Sequence, residues 1–330
     1  MAKPSASEIW NMNEEQLSRL LESGTLSPKP RRVCFFTPSF VHYKAGSHCS
    51  SLAQFPTVSV TGDNCALNCR HCQGKVLQTM HPAQTPEKLL EVCRDLKQKG
   101  ASGVLVSGGC TPSGAVPIEK FTPAIARIKR DLGLTVFVHT GIISAAAARD
   151  LKAAGVDVAL IDVIGSDETI REICDLAVSV GDYAESLKAM GNAGLDFVPH
   201  VITGLHHGEL KGEFEALNMI ARHKPEAVVV IAFMPIHGTA MEKTKPPTPL
   251  AIAKVTAVAR TMFPATPLVL GCMRPKGRHR AETDVLALKA GADGIAFPSE
   301  EAIGYAEKQG FGVKFSPFCC AQIYKDLNVQ

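Results

Sequence analysis

Short, nearly continuous apolar runs rich in β-branched residues recur along this chain, and each is followed by a stretch with helical spacing of its apolar positions. From residue 57 onward the runs fall at 57–60, 103–106, 135–138, 158–163, 197–202, 227–234, 267–270 and 294–297. A run that is apolar on both faces fits a parallel strand covered on both sides, not a half-solvated one. Helix signals lie between the runs. Thr85-Pro86 opens a segment with Leu89, Leu90, Cys93 and Leu96 on one stripe, closed by Gly100. Ser144 precedes an alanine-rich segment ending before Gly155, Thr248-Pro249 opens another, and Ser299 with Glu300 and Glu301 caps the last. Eight strands each followed by a helix predict an α/β chain folded as a (β/α)8 TIM-type barrel over 57–310. An incomplete barrel is the alternative if the last two units lie outside the sheet. No linker within 57–310 argues for a second domain.

Residues 1–56 read as an N-terminal extension. Asn13 caps a short helix with an acidic first turn that ends at Gly24, and 25–31 is a proline-marked linker. Residues 311–330 form a C-terminal tail expected to close over the barrel mouth. The chain has 330 residues, 45% hydrophobic and 20% charged, a globular balance. Its longest apolar stretches are too short to span a bilayer, and its first residues lack an apolar signal core. Eleven cysteines without a signal point to a reducing cytoplasm and to metal, not to a disulfide framework. A net charge of +3 gives no footprint for nucleic acid, although 274–280 holds a basic knot that reads as a solvated loop or an anion contact.

The chemistry concentrates directly after the first run, where Cys65, Cys69 and Cys72 stand in a Cys-x3-Cys-x2-Cys spacing on a loop. Three thiolates can hold three irons of a [4Fe-4S] cluster and leave the fourth open for a small ligand, whereas four cysteines make a closed electron carrier. A structural zinc site is the rival reading, but it wants four ligands, usually as two separated pairs, and His71 inside the loop is an awkward fourth. The triad resembles the radical S-adenosylmethionine (SAM) superfamily. That resemblance implies that SAM binds the open iron and is cleaved to methionine and a 5′-deoxyadenosyl radical. Where this family usually has an aromatic residue before the third cysteine, the chain has His71, whose ring can still stack on adenine.

In a barrel, functional groups sit at the C-terminal ends of the strands. After the second run come Ser107, Gly108, Gly109 and Cys110. The resemblance makes the 107–109 backbone a contact for the SAM amino group, with Cys110 where an acid often stands. The fifth run ends in Thr203, Gly204 and Leu205 and is similar to the Ile-x-Gly-Leu-x-Glu segment of biotin-synthase-like enzymes, with extra residues before Gly208 and Glu209. His200, His206 and His207 have no acidic or cysteine partner spaced to finish a metal site and read as polar loop residues or substrate contacts. The sixth ends in Met234 and Pro235, similar to an element that faces adenine in the same group. His139 and Asp162, at the ends of the third and fourth runs, face the cavity as contacts for SAM or substrate, or as a structural hydrogen bond. Cys93 and Cys174 lie on helical stripes and read as core residues, while Cys34 and Cys49 in the extension are open.

The whole chain resembles biotin-synthase-like radical SAM proteins. The 55–62 segment, the cysteine block, Gly271-Cys272-Met273-Arg274 and the terminal Cys319-Cys320 pair make it most similar to components of the two-protein lipoyl synthases. That resemblance implies sulfur insertion into an octanoyl chain on a lysine of a lipoyl carrier protein, a second radical SAM subunit, and an electron donor such as ferredoxin or flavodoxin. Sulfur insertion needs a donor, so Cys110, Cys272, Cys319 and Cys320 are expected to supply a second iron–sulfur cluster, with Cys49 or a non-cysteine ligand as a substitute. Two other classes stay open: a radical SAM mutase, lyase or cofactor-maturation enzyme without sulfur insertion, and a non-catalytic cluster-bearing subunit of a heteromer.

Overall fold

The structure, a computed structural model, describes residues 3–29, 31–39, 43–45, 48–49 and 54–327, with 48–49 described in backbone alone. Eleven strands form one parallel sheet. In chain order they are β1 (Arg32–Phe36), β4 (Thr57–Ser59), β5 (His81–Pro82), β6 (Gly103–Ser107), β7 (Thr135–His139), β8 (Val158–Asp162), β9 (Phe197–Thr203), β10 (Val228–Ala232), β11 (Leu268–Leu270), β12 (Gly294–Ala296) and β13 (Gly312–Ser316). The two-residue strands β2 (Lys44–Ala45) and β3 (His48–Cys49) pair separately as an antiparallel hairpin. The sheet order is β13-β1-β12-β11-β10-β9-β8-β7-β6-β4-β5. All eight runs read from the sequence are strands of this sheet, in chain order, and the curl is the TIM-like parallel α/β architecture. The ends of the sheet are β13 and β5, which are not paired with each other among the described residues.

The helices cover the convex face because the strands bury both sides. Val104, Val106, Val136, Val138, Ile161, Val228 and Val230 point outward to the helices, and Phe137, Leu160, Val198, Val229 and Val269 point into the curl. The caps fall where the sequence sets them. Thr85, Ser144, Thr248 and Ser299 accept the amide three residues on, at the starts of α3 (Pro86–Gln98), α5 (Ala145–Ala153), α9 (Pro249–Met262) and α11 (Glu300–Lys308). Such caps satisfy amides that have no partner within the helix. Asn13 forms a capping box on α2 (Glu14–Glu22), as its sequence position requires.

Two segments assigned outside the barrel belong to it. β1, placed by sequence in the extension, lies between β12 and β13, with Cys34 paired to Gly294 on one side and to Lys314 on the other. No helical pattern follows 32–36, so the βα alternation gives no sign of it. The tail does not close over the mouth. After β13 it runs into the curl, where Cys319, Cys320, Ala321 and Ile323 are buried among the inward strand residues. It then reaches the N-terminal ends of the strands, where Lys325 Nζ lies 3.8 Å from Asp157, the residue before β8. The reason is apolar demand: the concave face needs filling, and Phe318 packs edge-on against Phe55 at 6.0 Å.

Candidate functional site

The cysteine loop leaves β4 and is tied to three neighbouring elements. The Gly109 amide donates to Thr61 Oγ1 at 2.7 Å, and the Ala66 amide donates to the Cys110 carbonyl at 2.8 Å. On its other side the Arg70 amide donates to the Ile173 carbonyl at 2.7 Å, near the end of α6 (Asp167–Cys174). The Ala240 amide, beyond β10, donates to Gln73 Oε1 at 2.8 Å. Gly109 allows the first of these approaches, since a Cβ there would stand 2.1 Å from the Asn64 carbonyl oxygen and 2.6 Å from Cys65 Cβ.

These ties hold three half-buried thiols on one side of the loop. A cavity of about 280 Å³ opens beside Cys65, lined also by Asp63, Leu67, Asn68 and Gln73. Hydrogen bonding to Cys110 brings the Cys65 thiol down to about 6. Hydrogen bonding to Cys174 pushes Cys69 up to about 12, and hydrogen bonding to Cys69 does the same for Cys72. His71 is better placed than the sequence implied, because it, Cys69 and Cys72 offer ligand atoms that all lie within 4.8 Å of one another. Its Nδ1 is buried without a hydrogen-bond partner, as is Thr203 Oγ1 at the end of β9. The Cys69 and Cys72 thiols, brought together beside the unpartnered His71 Nδ1, fit a metal centre with a polar ligand beside it.

The strand-end residues gather as the barrel topology requires. Ser107 ends β6 and its carbonyl accepts the Val60 amide at 2.8 Å, with Gly108 and Gly109 following against Thr61 and Cys65. Thr203 and Leu205 are buried, and Gly204 takes a left-handed φ of 72° against Pro247. Met234 and Pro235 are half-buried just past β10. His139 and Asp162 sit on adjacent strands with Nε2 and a carboxylate oxygen 3.8 Å apart.

The four remaining expected cluster ligands divide into two places. The Cys110 amide donates to Cys65 Sγ at 3.3 Å, so Cys110 stands with the first triad. Cys272, Cys319 and Cys320 meet inside the curl, and burial together with the nearby Cys319 pushes the Cys272 thiol up to about 11. Arg274, read from sequence as part of a solvated or anion-binding loop, is fully buried and pairs through Nε with Asp284 Oδ1 at 2.7 Å. Cys93 is core, and Cys174 is buried with its carbonyl 3.3 Å from Cys69 Sγ. Cys34 is buried on β1, while the side chain of Cys49 lies outside the described residues.

Sequence spacing assigns no role to Glu213 and reads His200 only as a polar loop residue or substrate contact. Glu213 Oε1 accepts the Gly204 amide at 2.7 Å from the first position of α8 (Glu213–Ile220), and burial raises its carboxyl to about 7. Glu209, which the sequence aligned with a family acid, is exposed. The available signal was a carboxylate directly after Gly212 and ahead of an apolar helix.

The Radical SAM superfamily model matches residues 59–217. The biotin synthase of Neorickettsia sennetsu is 27% identical over 251 residues, 73% of this chain and 74% of that protein. A Prochlorococcus marinus biotin synthase is 24% identical over 301 residues, 88% of this chain and 85% of that one. Methylornithine synthase (PylB) superposes with a TM-score of 0.61 at 17% identity, covering 94% of this chain and 93% of that chain. HydG, a maturase of the [FeFe]-hydrogenase, gives 0.64 at 17% identity over 97% and 73%. The two solved structures share the fold. The matched segment starts in β4, carries the three-cysteine loop and spans the ends of β6 to β9, so this part of the chain is similar to the Radical SAM superfamily, and the chain as a whole is similar to biotin synthases.

Proposed function

We propose that this chain is a radical SAM enzyme that inserts sulfur into an octanoyl chain carried on a lysine of a lipoyl carrier protein. Cys65, Cys69 and Cys72 would hold a [4Fe-4S] cluster, with SAM against Ser107–Gly109, His71, Gly204 and Met234–Pro235. When bound, that pair supplies a carbon-centred radical able to break an unactivated C–H bond. The protein's own part is orientation and exclusion of water. The Gly109 and Gln73 hydrogen bonds fix the loop, and the aromatic filling of the curl keeps the cavity dry from below.

The observation that carries sulfur insertion is the meeting of Cys272, Cys319 and Cys320 inside the curl, apart from the Cys65 loop. Buried thiols brought together from a strand end and a tail are suited to a second iron–sulfur cluster, the expected sulfur donor. Similarity to biotin synthases supports the same reaction class. Exposed Lys276 and Arg278 offer a basic surface to an acidic carrier, and a second radical SAM subunit and a ferredoxin or flavodoxin complete the proposed system. The test is anaerobic iron and sulfide counting on the Cys65/Cys69/Cys72 triple-alanine variant, together with mass analysis of an octanoyl-lysine peptide treated with the unaltered, cluster-loaded protein. About four residual irons, lost on Cys272→Ala with Cys319→Ala, support the donor cluster. No residual iron and no added sulfur on the peptide overturn it. A radical SAM enzyme acting on a polar substrate without sulfur insertion is the second reading, favoured by the imidazole–carboxylate group of His139, Asp162 and His200, which is poorly suited to an alkyl chain.

A further inference from the structure

The strand register brings three donor side chains together, from the ends of β7 and β8 and the middle of β9. Asp162 and His200 are paired Cα partners on adjacent parallel strands, and His139 pairs with Leu160 one strand further on. Their ligand atoms all lie within 4.8 Å of one another.

These groups do not satisfy each other. The His139 to Asp162 separation of 3.8 Å is too long for a hydrogen bond, and the His139 and His200 rings stand 5.9 Å apart between centroids. His200 is only 9% exposed, and its Nδ1 is buried without any hydrogen-bond partner. An orphaned buried polar atom is costly, so a partner from outside the protein is called for. The spacing leaves room for one atom between the three. Around a first-row divalent ion with bonds near ~2.1 Å, donor atoms stand roughly 3–3.5 Å apart, which these side chains reach by small rotations.

We propose that His139, Asp162 and His200 form a binding site for a divalent first-row metal ion, distinct from the Cys65–Cys72 loop. A neutral imidazole keeps the lone pair that a metal takes. Two imidazoles and a carboxylate suit zinc, manganese, iron or cobalt, and three protein donors leave positions open. The His139 and Asp162 side chains are 25% and 38% exposed, so the open positions face the cavity. An oxygen donor of the molecule held there, a hydroxyl or a carboxylate, would complete the shell. The site stands on this geometry alone and is independent of the proposed sulfur insertion.

The test is equilibrium dialysis of the anaerobically cluster-loaded protein against manganese or zinc, followed by elemental analysis. A single extra ion per chain is expected, and its affinity should fall at least tenfold in His200→Ala and in Asp162→Ala. His139→Gln, at a ligand more exposed than His200, provides the same readout where His200→Ala fails to fold. The Cys65/Cys69/Cys72 triple-alanine variant should keep the ion, and its cobalt form should show no thiolate-to-cobalt charge-transfer band. No extra ion on the loaded protein, an ion retained through all three ligand substitutions, or an ion lost with the cysteines overturns the proposal.

Discussion

The amide of Cys110 donates a hydrogen bond to Sγ of Cys65 at 3.3 Å, and the carbonyl of the same residue accepts the Ala66 amide at 2.8 Å. Two loops from neighbouring strands, β4 and β6, are thereby locked at one residue. An amide aimed at a ligand sulfur stabilises the thiolate that a cluster needs, and such bonds help set its potential.

Replacing Cys65, Cys69 or Cys72 with Ala removes one of the three proposed cluster ligands. Each variant is expected to lose most of its reconstituted iron and all 5′-deoxyadenosine formation. Iron analysis and chromatography of the nucleoside check this, and SAM cleavage persisting without all three cysteines would refute the site.

Gly109→Ala places a Cβ 2.1 Å from the Asn64 carbonyl oxygen. Neither loop can yield without breaking the Cys110–Cys65 contact, so the expected cost is about 1–3 kcal/mol of stability with reduced cluster loading. Thermal melting of the apo-protein and iron content of the reconstituted variant measure both effects. Wild-type values in each would show that the close approach is unimportant.

A structure with SAM bound is expected to place its methionine end along Ser107–Gly109 and its nucleoside near Thr203, Gly204, Leu205, Met234 and Pro235. Density for the nucleoside at the N-terminal ends of the strands, beside Lys325 and Asp157, would contradict this.

Arg274 and Asp284 form a bidentate pair, Nε–Oδ1 2.7 Å and Nη2–Oδ2 3.0 Å, with both side chains 0% exposed. Asp284→Asn strands a buried guanidinium and should destabilise by about 3–5 kcal/mol. Asp284 Oδ2 also accepts the Ser299 amide at 2.8 Å, so the start of α11 should loosen as well. Denaturant titration gives the first effect and hydrogen exchange at 299–302 the second. A loss under about 1 kcal/mol would show that the pair is dispensable.

Burial raises the Glu213 carboxyl from 4.5 to about 7. A carboxyl raised on folding contributes stability fully present below its unfolded value and lost as pH rises through the folded one. Glu213→Gln should therefore be more stable than the wild-type chain at pH 8, on the order of 3 kcal/mol, and closely matched at pH 4. Denaturation midpoints across that range check the sign, and a gap that is constant with pH would show that Glu213 does not titrate in this window.

Features that depend on neighbours along the chain were legible in the order of residues. Eight apolar runs became eight sheet strands because both-face burial writes itself as an uninterrupted run, and Thr85, Ser144, Thr248 and Ser299 capped helices because a cap is satisfied within three residues. The cysteine triad was legible for the same reason, since its ligands share one loop. Tertiary structure alone decided what depends on distant residues. The strand β1 has no helix after it to announce it, and its place is set by pairing with Gly294 and Lys314. The tail turned into the curl because its apolar residues fill the concave face. Cys110 joined Cys65, Arg274 went inside to Asp284, and His139, Asp162 and His200 converged, through strand register and long-range burial that no local spacing encodes.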